Sequence, residues 1–175
     1  KKFQILSLDG GGVKGAFTAA LLARLEENLN TKIVDHFDLI VGTSTGGIIA
    51  IGLGLGLTPR EMLDFYEKHG PSIFRRYLGV RWWKSWVLSK YPQRVLRSSL
   101  QNEKVFGERL FGESSKRLVI PSYSLTKDQP YLFRTPHCDR VLEDHRVEAW
   151  KVALATSAAP TFFPVCGHID GKRHV

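Results

Sequence analysis

Sulfur is scarce in this chain. Cys138 and Cys166 are the only cysteines in 175 residues, and they stand in no CxxC or other ligand spacing. That argues against a zinc site and reads as two reduced thiols of a cytoplasmic protein, both structural bystanders. Long apolar runs are missing as well: Ile48 to Leu57 comes nearest, and it is too short to span a bilayer. No signal-peptide pattern opens the sequence, because Lys1-Lys2 leads directly into a strand-like stretch. No Gly-Lys-Ser or Gly-Lys-Thr triplet occurs, which argues against a phosphate loop of the Walker type. Repeats, low-complexity tracts and dividing linkers are also lacking, with Asn102 to Phe106 the weakest candidate boundary. The expectation is one domain over 1–175, in which 43% hydrophobic residues suffice for a core.

Against these absences, one segment stands out. Gly42-Thr43-Ser44-Thr45-Gly46-Gly47 follows the apolar stretch Phe37 to Val41 and precedes Ile48-Ile49-Ala50-Ile51. It reads as strand, sharp turn and helix with a serine at the apex. In such an elbow a side chain beside the serine would collide with neighbouring backbone, so glycine is required. The serine hydroxyl is then held out at the end of a sheet, and the helix beneath it directs N–H groups at any negative charge forming there. Taken alone, G-x-S-x-G is only moderately specific, and a tight strand-to-helix connection with no chemistry is the plain alternative.

A second glycine cluster precedes it. Phe3 to Leu8 reads as a buried strand running into Asp9-Gly10-Gly11-Gly12-Val13-Lys14-Gly15. A helix follows, with Phe17, Leu21, Leu22, Leu25 and Leu29 expected on one apolar stripe and Asn30 as its stop. Consecutive glycines leave backbone N–H groups uncovered, as an oxyanion hole or a phosphate cradle requires. Gly10-x-Gly12-x-x-Gly15 also fits the dinucleotide-binding pattern. That pattern wants an acid about twenty positions on, at the end of the second strand. Glu26 and Glu27 fall within the helix and Asp35 falls before the strand, so the nucleotide reading is weak.

With the loop after strand one, the Gly-Thr-Ser-Thr-Gly-Gly elbow, and Ala155-Thr156-Ser157-Ala158-Ala159-Pro160-Thr161-Phe162-Phe163-Pro164 in that order, the chain resembles the patatin-like phospholipases from Ile5 to Val175. The resemblance implies an α/β, three-layer fold with a largely parallel central sheet between helices, and a serine–aspartate dyad. It implies Ser44 as nucleophile, Gly10, Gly11 and Gly12 as the oxyanion-hole loop, and a basic residue at Lys14 beside it. A solvated lysine at a helix start is the plain alternative for Lys14. The Ala155 to Pro164 segment is expected to do no chemistry itself, but to deliver the strands that follow it.

The dyad partner departs from the family pattern. Asp170-Gly171 is the only candidate after Pro164, and it is followed by Lys172. Gly167 to Val175 reads as two short strands joined at Asp-Gly, a favoured two-residue hairpin turn. The dyad aspartate is therefore expected just beyond Val175, with Asp170 as the lesser candidate, and 1–175 as a domain lacking its C-terminal part. A Ser, Asp, His order using Asp139 or Asp144 with His168 or His174 is weighed too. His137, Asp139 and His145 sit in a polar, loop-like stretch where surface placement is the default, and no partner for Ser44 follows from them.

Acid is absent between Glu67 and Glu103. Over that stretch Arg75, Arg76, Arg81, Lys84, Lys90, Arg94 and Arg97 alternate with Tyr77, Trp82, Trp83, Trp86 and Tyr91, and contribute to a formal charge of +8. Aromatic rings with polar tips and cations suit a headgroup zone. The Arg75 to Arg97 region is the candidate for peripheral contact with a phospholipid membrane surface, or for a lid. Packing of the same aromatics under a solvated basic face is the alternative. Nucleic acid is not expected, because no recognisable module accompanies the charge.

The remaining pattern is ordinary. Thr58-Pro59-Arg60-Glu61 has the residues of a capping box opening a helix to His69, with a stop at Gly70-Pro71 and Met62, Leu63, Phe65 and Tyr66 as packing. Arg117 to Ser124 and Tyr131 to Arg134 read as strands around a Lys127 to Pro130 turn, and Val147 to Ser157 as a helix.

The implied chemistry is hydrolysis of phospholipid acyl esters through an acyl-enzyme on Ser44, with no metal or organic cofactor required. Family relatives leave room for a small-molecule activator such as a cyclic dinucleotide. The rival readings are a catalytically incomplete lipid-binding module and a nucleotide-binding module using Gly10 to Gly15.

Overall fold

The computed structural model describes residues 2–74, 93–136, 143–159, 163–169 and 172–174. Its elements in chain order are β1 (Ile5–Leu8), α1 (Gly15–Leu29), β2 (Leu39–Gly42), α2 (Thr45–Gly54), α3 (Pro59–Ile73), α4 (Gln93–Leu100), β3 (Arg117–Ser124), β4 (Gln129–Arg134), α5 (Ala149–Ser157), β5 (Cys166–Ile169) and β6 (Lys172–His174). Short 3-10 turns over Gly12–Lys14 and Ile33–His36 lead into α1 and β2. The fold is mixed α/β, as the sequence implies.

β1, β2 and β3 form the parallel part of the sheet, with Leu8 opposite Gly42 and Val41 opposite Val119. β4, β5 and β6 add antiparallel pairings. Val119 pairs with both Val41 of β2 and Arg134 of β4, while Ser124 pairs with both Gln129 of β4 and His174 of β6. A strand has two edges. β2 and β6 therefore share one edge of β3, β2 along its start and β6 at its end. The expected hairpin is present, with Ile169 opposite Lys172; Asp170 and Gly171 themselves lie outside the described residues.

α2 is apolar all round, and each of its residues from Thr45 to Gly54 is buried. A helix without a polar face belongs in the middle of a core. Gly52 lets α3 come close, since a Cβ there would stand 2.3 Å from Met62 Sδ. Ile48, Ile49, Ile51, Met62, Leu118, Ile120, Phe133 and Val152 are among the members of one buried cluster that reaches from Leu8 to Ile169. Val105 and Phe106, within the weakest candidate boundary, are buried in that same cluster.

Two expectations about helices need correction. Of the stripe expected to face the core from α1, Leu22 is buried and Leu25 packs partly against the core, but Phe17, Leu21 and Leu29 are 73%, 49% and 58% exposed. α1 instead buries its small residues Gly15, Ala19 and Ala23. Small side chains allow the close approach that the elbow demands: a Cβ on Gly15 would stand 2.9 Å from Thr45 Cβ and 3.1 Å from Tyr66 Cζ. Asn30 does end α1, in the left-handed region at φ 48° with its N–H on Glu26 O.

α3 starts at its predicted capping box, where Thr58 N donates to Glu61 Oε2 at 2.7 Å and Glu61 N to Thr58 Oγ1 at 3.2 Å. It does not stop at Gly70-Pro71 but runs through both to Ile73. Pro71 removes one backbone donor and disfavours the helix. Burial of Ile73, only 1% exposed, offsets that cost.

Candidate active site

Ser44 sits between the end of β2 and the start of α2, at φ 54° and ψ −123°. A non-glycine residue there carries strain on the order of 1–3 kcal/mol, and persists only where the surroundings over-determine it. They do. Thr43 N donates to Leu8 O at 3.1 Å, Gly46 N to Thr43 O at 2.9 Å and Ile48 N to Ser44 O at 3.0 Å. Ser44 N donates to Thr156 Oγ1 at 3.0 Å, across from α5.

The glycines of the elbow are fixed by contact. A Cβ on Gly42 would stand 2.3 Å from Gly46 O, and one on Gly46 2.1 Å from Leu8 O. Both are impossible without moving backbone. Gly47 takes part as well, for its Cβ would stand 2.8 Å from Thr156 Cγ2.

The first glycine loop closes against the same point. A Cβ on Gly10 would stand 2.6 Å from Thr43 O and 2.7 Å from Ser44 Cβ. Gly11 N donates to Thr45 Oγ1 at 3.2 Å, and Gly12 takes φ +60°. Gly10 and Gly15 thus serve the approach of loop and helix to the elbow, while Gly12 meets only Phe74, at 3.7 Å. Asp35, the acid nearest to the dinucleotide pattern's requirement, instead pairs with Lys116 Nζ at 3.4 Å.

Ser44, Gly11, Gly12 and Val13 line a cavity of about 780 Å³ together with Tyr66, Glu67, Gly70, Pro71, Phe74, Ser157, Ala159 and Phe163. The walls are mostly apolar, the form expected for a site that takes an aliphatic chain. Tyr66 is buried and donates its hydroxyl to Thr45 O at 3.0 Å. Burial pushes that hydroxyl well above the ordinary tyrosine range, so it stays a neutral donor. Ser157 Oγ is buried with no hydrogen-bond partner among the described residues.

The structure thus brings Ser44 together with Gly10, Gly11 and Gly12, as the sequence suggests. Lys14 is exposed, and its side chain begins 3.4 Å from where a Cβ on Gly11 would stand. Asp144 does not join Ser44: it is 4% exposed and accepts from Tyr131 OH at 2.6 Å and Arg134 N at 2.9 Å on β4. Asp139 and His137 lie outside the described residues, as do residues 75–92 with most of the basic aromatic segment. Its tail, Arg94 and Arg97, is exposed on α4, with Arg97 4.8 Å above the Trp150 ring. Cys166 is buried, and desolvation raises its thiol to about 11. No cluster of three or more His, Cys, Asp and Glu suited to a metal occurs among the described residues.

From the sequence pattern Tyr66 is a packing residue and Thr156 belongs to a segment that does no chemistry itself. Thr156 is the larger omission. A buried hydroxyl in an otherwise alanine-rich helix end needs a partner, and that was the available signal.

A serine at a strained strand-to-helix turn, faced by a glycine loop over an apolar cavity, defines the class of α/β proteins built around a serine elbow. Within that class the chain belongs to the patatin-like phospholipase family, whose family model matches residues 6–175. It is 36% identical to a cGAMP-activated phospholipase of Pseudomonas aeruginosa over 97% of this chain and 50% of the relative, and 37% identical to one of Vibrio cholerae over 91% and 49%. Patatin-like protein 1 of Arabidopsis thaliana is 34% identical over 91% of this chain and 42% of its own length. The chain spans about half the length of the curated relatives it matches. In fold it is similar to VipD of Legionella pneumophila, with a TM-score of 0.61 at 12% identity over 100% of this chain and 46% of VipD. The ExoU–SpcU complex of Pseudomonas aeruginosa matches with a TM-score of 0.51 at 18% identity, over 90% of this chain and 36% of the matched one. Family membership supports lipid hydrolysis as the general activity. Among the described residues no helix is long and apolar enough to cross a membrane.

Proposed function

We propose that this chain carries the nucleophile of a serine acyl hydrolase that cleaves acyl esters of membrane phospholipids. One observation carries the reading: Ser44 is held at positive φ in the wall of the apolar cavity, with the Gly10 to Gly12 loop packed against it. In this scheme Ser44 Oγ attacks the ester carbonyl as its proton passes to an aspartate carboxylate. The tetrahedral oxyanion is held by amides of the loop. Ser44 N–H is committed to Thr156 and Gly11 N–H to Thr45 Oγ1. That leaves the oxyanion to Gly10 and Gly12, with Thr45 N–H at the start of α2. Collapse returns the proton to the departing alcohol and leaves an acyl-enzyme, which water cleaves to release a fatty acid and restore the hydroxyl.

We assign the aspartate to the residue that follows Val175 rather than to Asp170. Support comes from the direction of β6. It meets β3 at Ser124 and runs antiparallel along the edge that β2 occupies at the other end, so continuation carries the chain towards Pro121. Pro121 O is linked to Ser44 through a single side chain, Thr156.

Peripheral contact with anionic phospholipid, through the Arg75 to Arg97 segment, completes the proposal, since substrate must be drawn from an interface. The names of the bacterial relatives describe activation by cGAMP, which supports a cyclic dinucleotide as the class of activator here. The decisive experiment uses full-length protein and a chromogenic acyl ester. Ser44→Ala that keeps its fold is expected to lose all turnover, and persistence of turnover would end the assignment. Vesicle binding unaltered by replacing Trp82, Trp83 and Trp86 would remove the interface role from that segment.

A further inference from the structure

We infer that Thr156 is the positioning residue for Ser44: its hydroxyl, accepting from Ser44 N–H and donating to Pro121 O, fixes the strained turn that aims the nucleophile. The inference rests on the assignment of Ser44 above and adds a residue to it. The first bond is 3.0 Å and the second 2.7 Å.

Three elements meet in this one hydroxyl. Ser44 stands at the elbow, Thr156 near the end of α5, and Pro121 on β3. A threonine within a helix ordinarily turns its hydroxyl back to the carbonyl four residues earlier. Thr156 donates outward to the sheet, and so spends its single proton on a tertiary contact. With that proton on Pro121 O, a lone pair of the oxygen is left to accept, and Ser44 N–H is what meets it.

The rest of the side chain is also engaged. Thr156 is 7% exposed, and the space that a Cβ on Gly47 would need is taken by Thr156 Cγ2. Methyl and hydroxyl have separate tasks: the methyl packs on the first turn of α2, and the hydroxyl sets the peptide immediately before Ser44 Cα. Rotation of that peptide swings Cα–Cβ and hence Oγ relative to Gly10 and Gly12. A displacement near 1 Å in a reacting group lowers rate by about 100-fold.

Thr156→Val removes the hydroxyl at constant shape, and with it the acceptor of Ser44 N–H and the donor to Pro121 C=O. Thr156→Ser keeps the hydroxyl and loses the methyl. With a soluble chromogenic ester and full-length protein, kcat in T156V is expected to fall about 10- to 100-fold with KM within about twofold, and T156S to stay within about threefold of wild type. The rate of fluorophosphonate labelling at Ser44 should fall in parallel with kcat. Equal kcat in T156V and wild type, or equal losses in the two variants, would overturn the inference.

Amide exchange at Ser44 reads the same bond without any activity. It is expected to be at least about tenfold faster in T156V than in T156S at matched melting temperature. Equal exchange would contradict the bridge. If wild type neither labels nor turns over, the Ser44 assignment fails, and amide exchange still decides whether Thr156 holds the turn.

Discussion

Two groups of glycines meet at Ser44, and they are there for opposite reasons. At Gly42, Gly46 and Gly10 a Cβ would stand 2.1–2.6 Å from a backbone oxygen, so glycine is the condition for closing the turn at all. At Gly11 the nearest atoms belong to the Lys14 side chain at 3.4 Å, and at Gly12 to Phe74 at 3.7 Å, both within ordinary reach. Gly11 and Gly12 line the cavity, and the other three do not. One set makes the corner; the other leaves room in the cavity beside it. A glycine motif is therefore not one signal, and what each position would collide with tells which glycines the closing of the turn requires.

That contrast can be broken by substitution. The largest effect is expected at the serine both sets surround: Ser44→Ala should abolish ester hydrolysis while leaving the melting temperature near that of wild type, checked by calorimetry beside the assay. Gly46→Ala comes next. Its methyl meets the backbone oxygen of Leu8, which no rotamer change relieves, and we expect at least about 3 kcal/mol of destabilisation in urea unfolding. Gly12→Ala should cost about 1 kcal/mol, from its φ of +60° and not from crowding. Gly11→Ala should change stability by no more than about 0.5 kcal/mol, because a flexible lysine can yield, while raising KM through a methyl at the cavity wall. A destabilisation at Gly11 equal to that at Gly46 would erase the distinction.

The smallest effect concerns pH. His69, on α3, has its imidazole held below the ordinary 6.5 by burial, with Lys68 adding to it, and it hydrogen-bonds Ser99 Oγ at 3.2 Å. The folded state then binds fewer protons than the unfolded one below that value. Stability is complete above it and declines as pH falls towards the folded value. His69→Gln should lose less of its melting temperature than wild type between about pH 7 and about pH 5, as followed by circular dichroism.

Much of this was legible in the residues. The elbow, the glycine loop, the capping box at Thr58, β3 and the terminal hairpin each depend on local chemistry, which a sequence carries in full. The core-facing side of α1 did not, because its small residues and its large apolar ones form competing stripes. Only the tight approach of Gly15 to Thr45 and Tyr66 decides between them. The passage of α3 through Pro71 depends on burial of Ile73, a tertiary effect. Thr156 lay hidden for a related reason: it is 112 residues from the amide it holds, and its motif reads as a segment that delivers the strands after it.

Fluorophosphonate labelling of the full-length protein, followed by peptide mass mapping, reads the reactivity of Ser44 itself, because only an activated hydroxyl reacts. A single adduct on Ser44 is expected, lost together with hydrolysis in Ser44→Ala. An adduct elsewhere, or ester turnover with Ser44 unmodified, would contradict it.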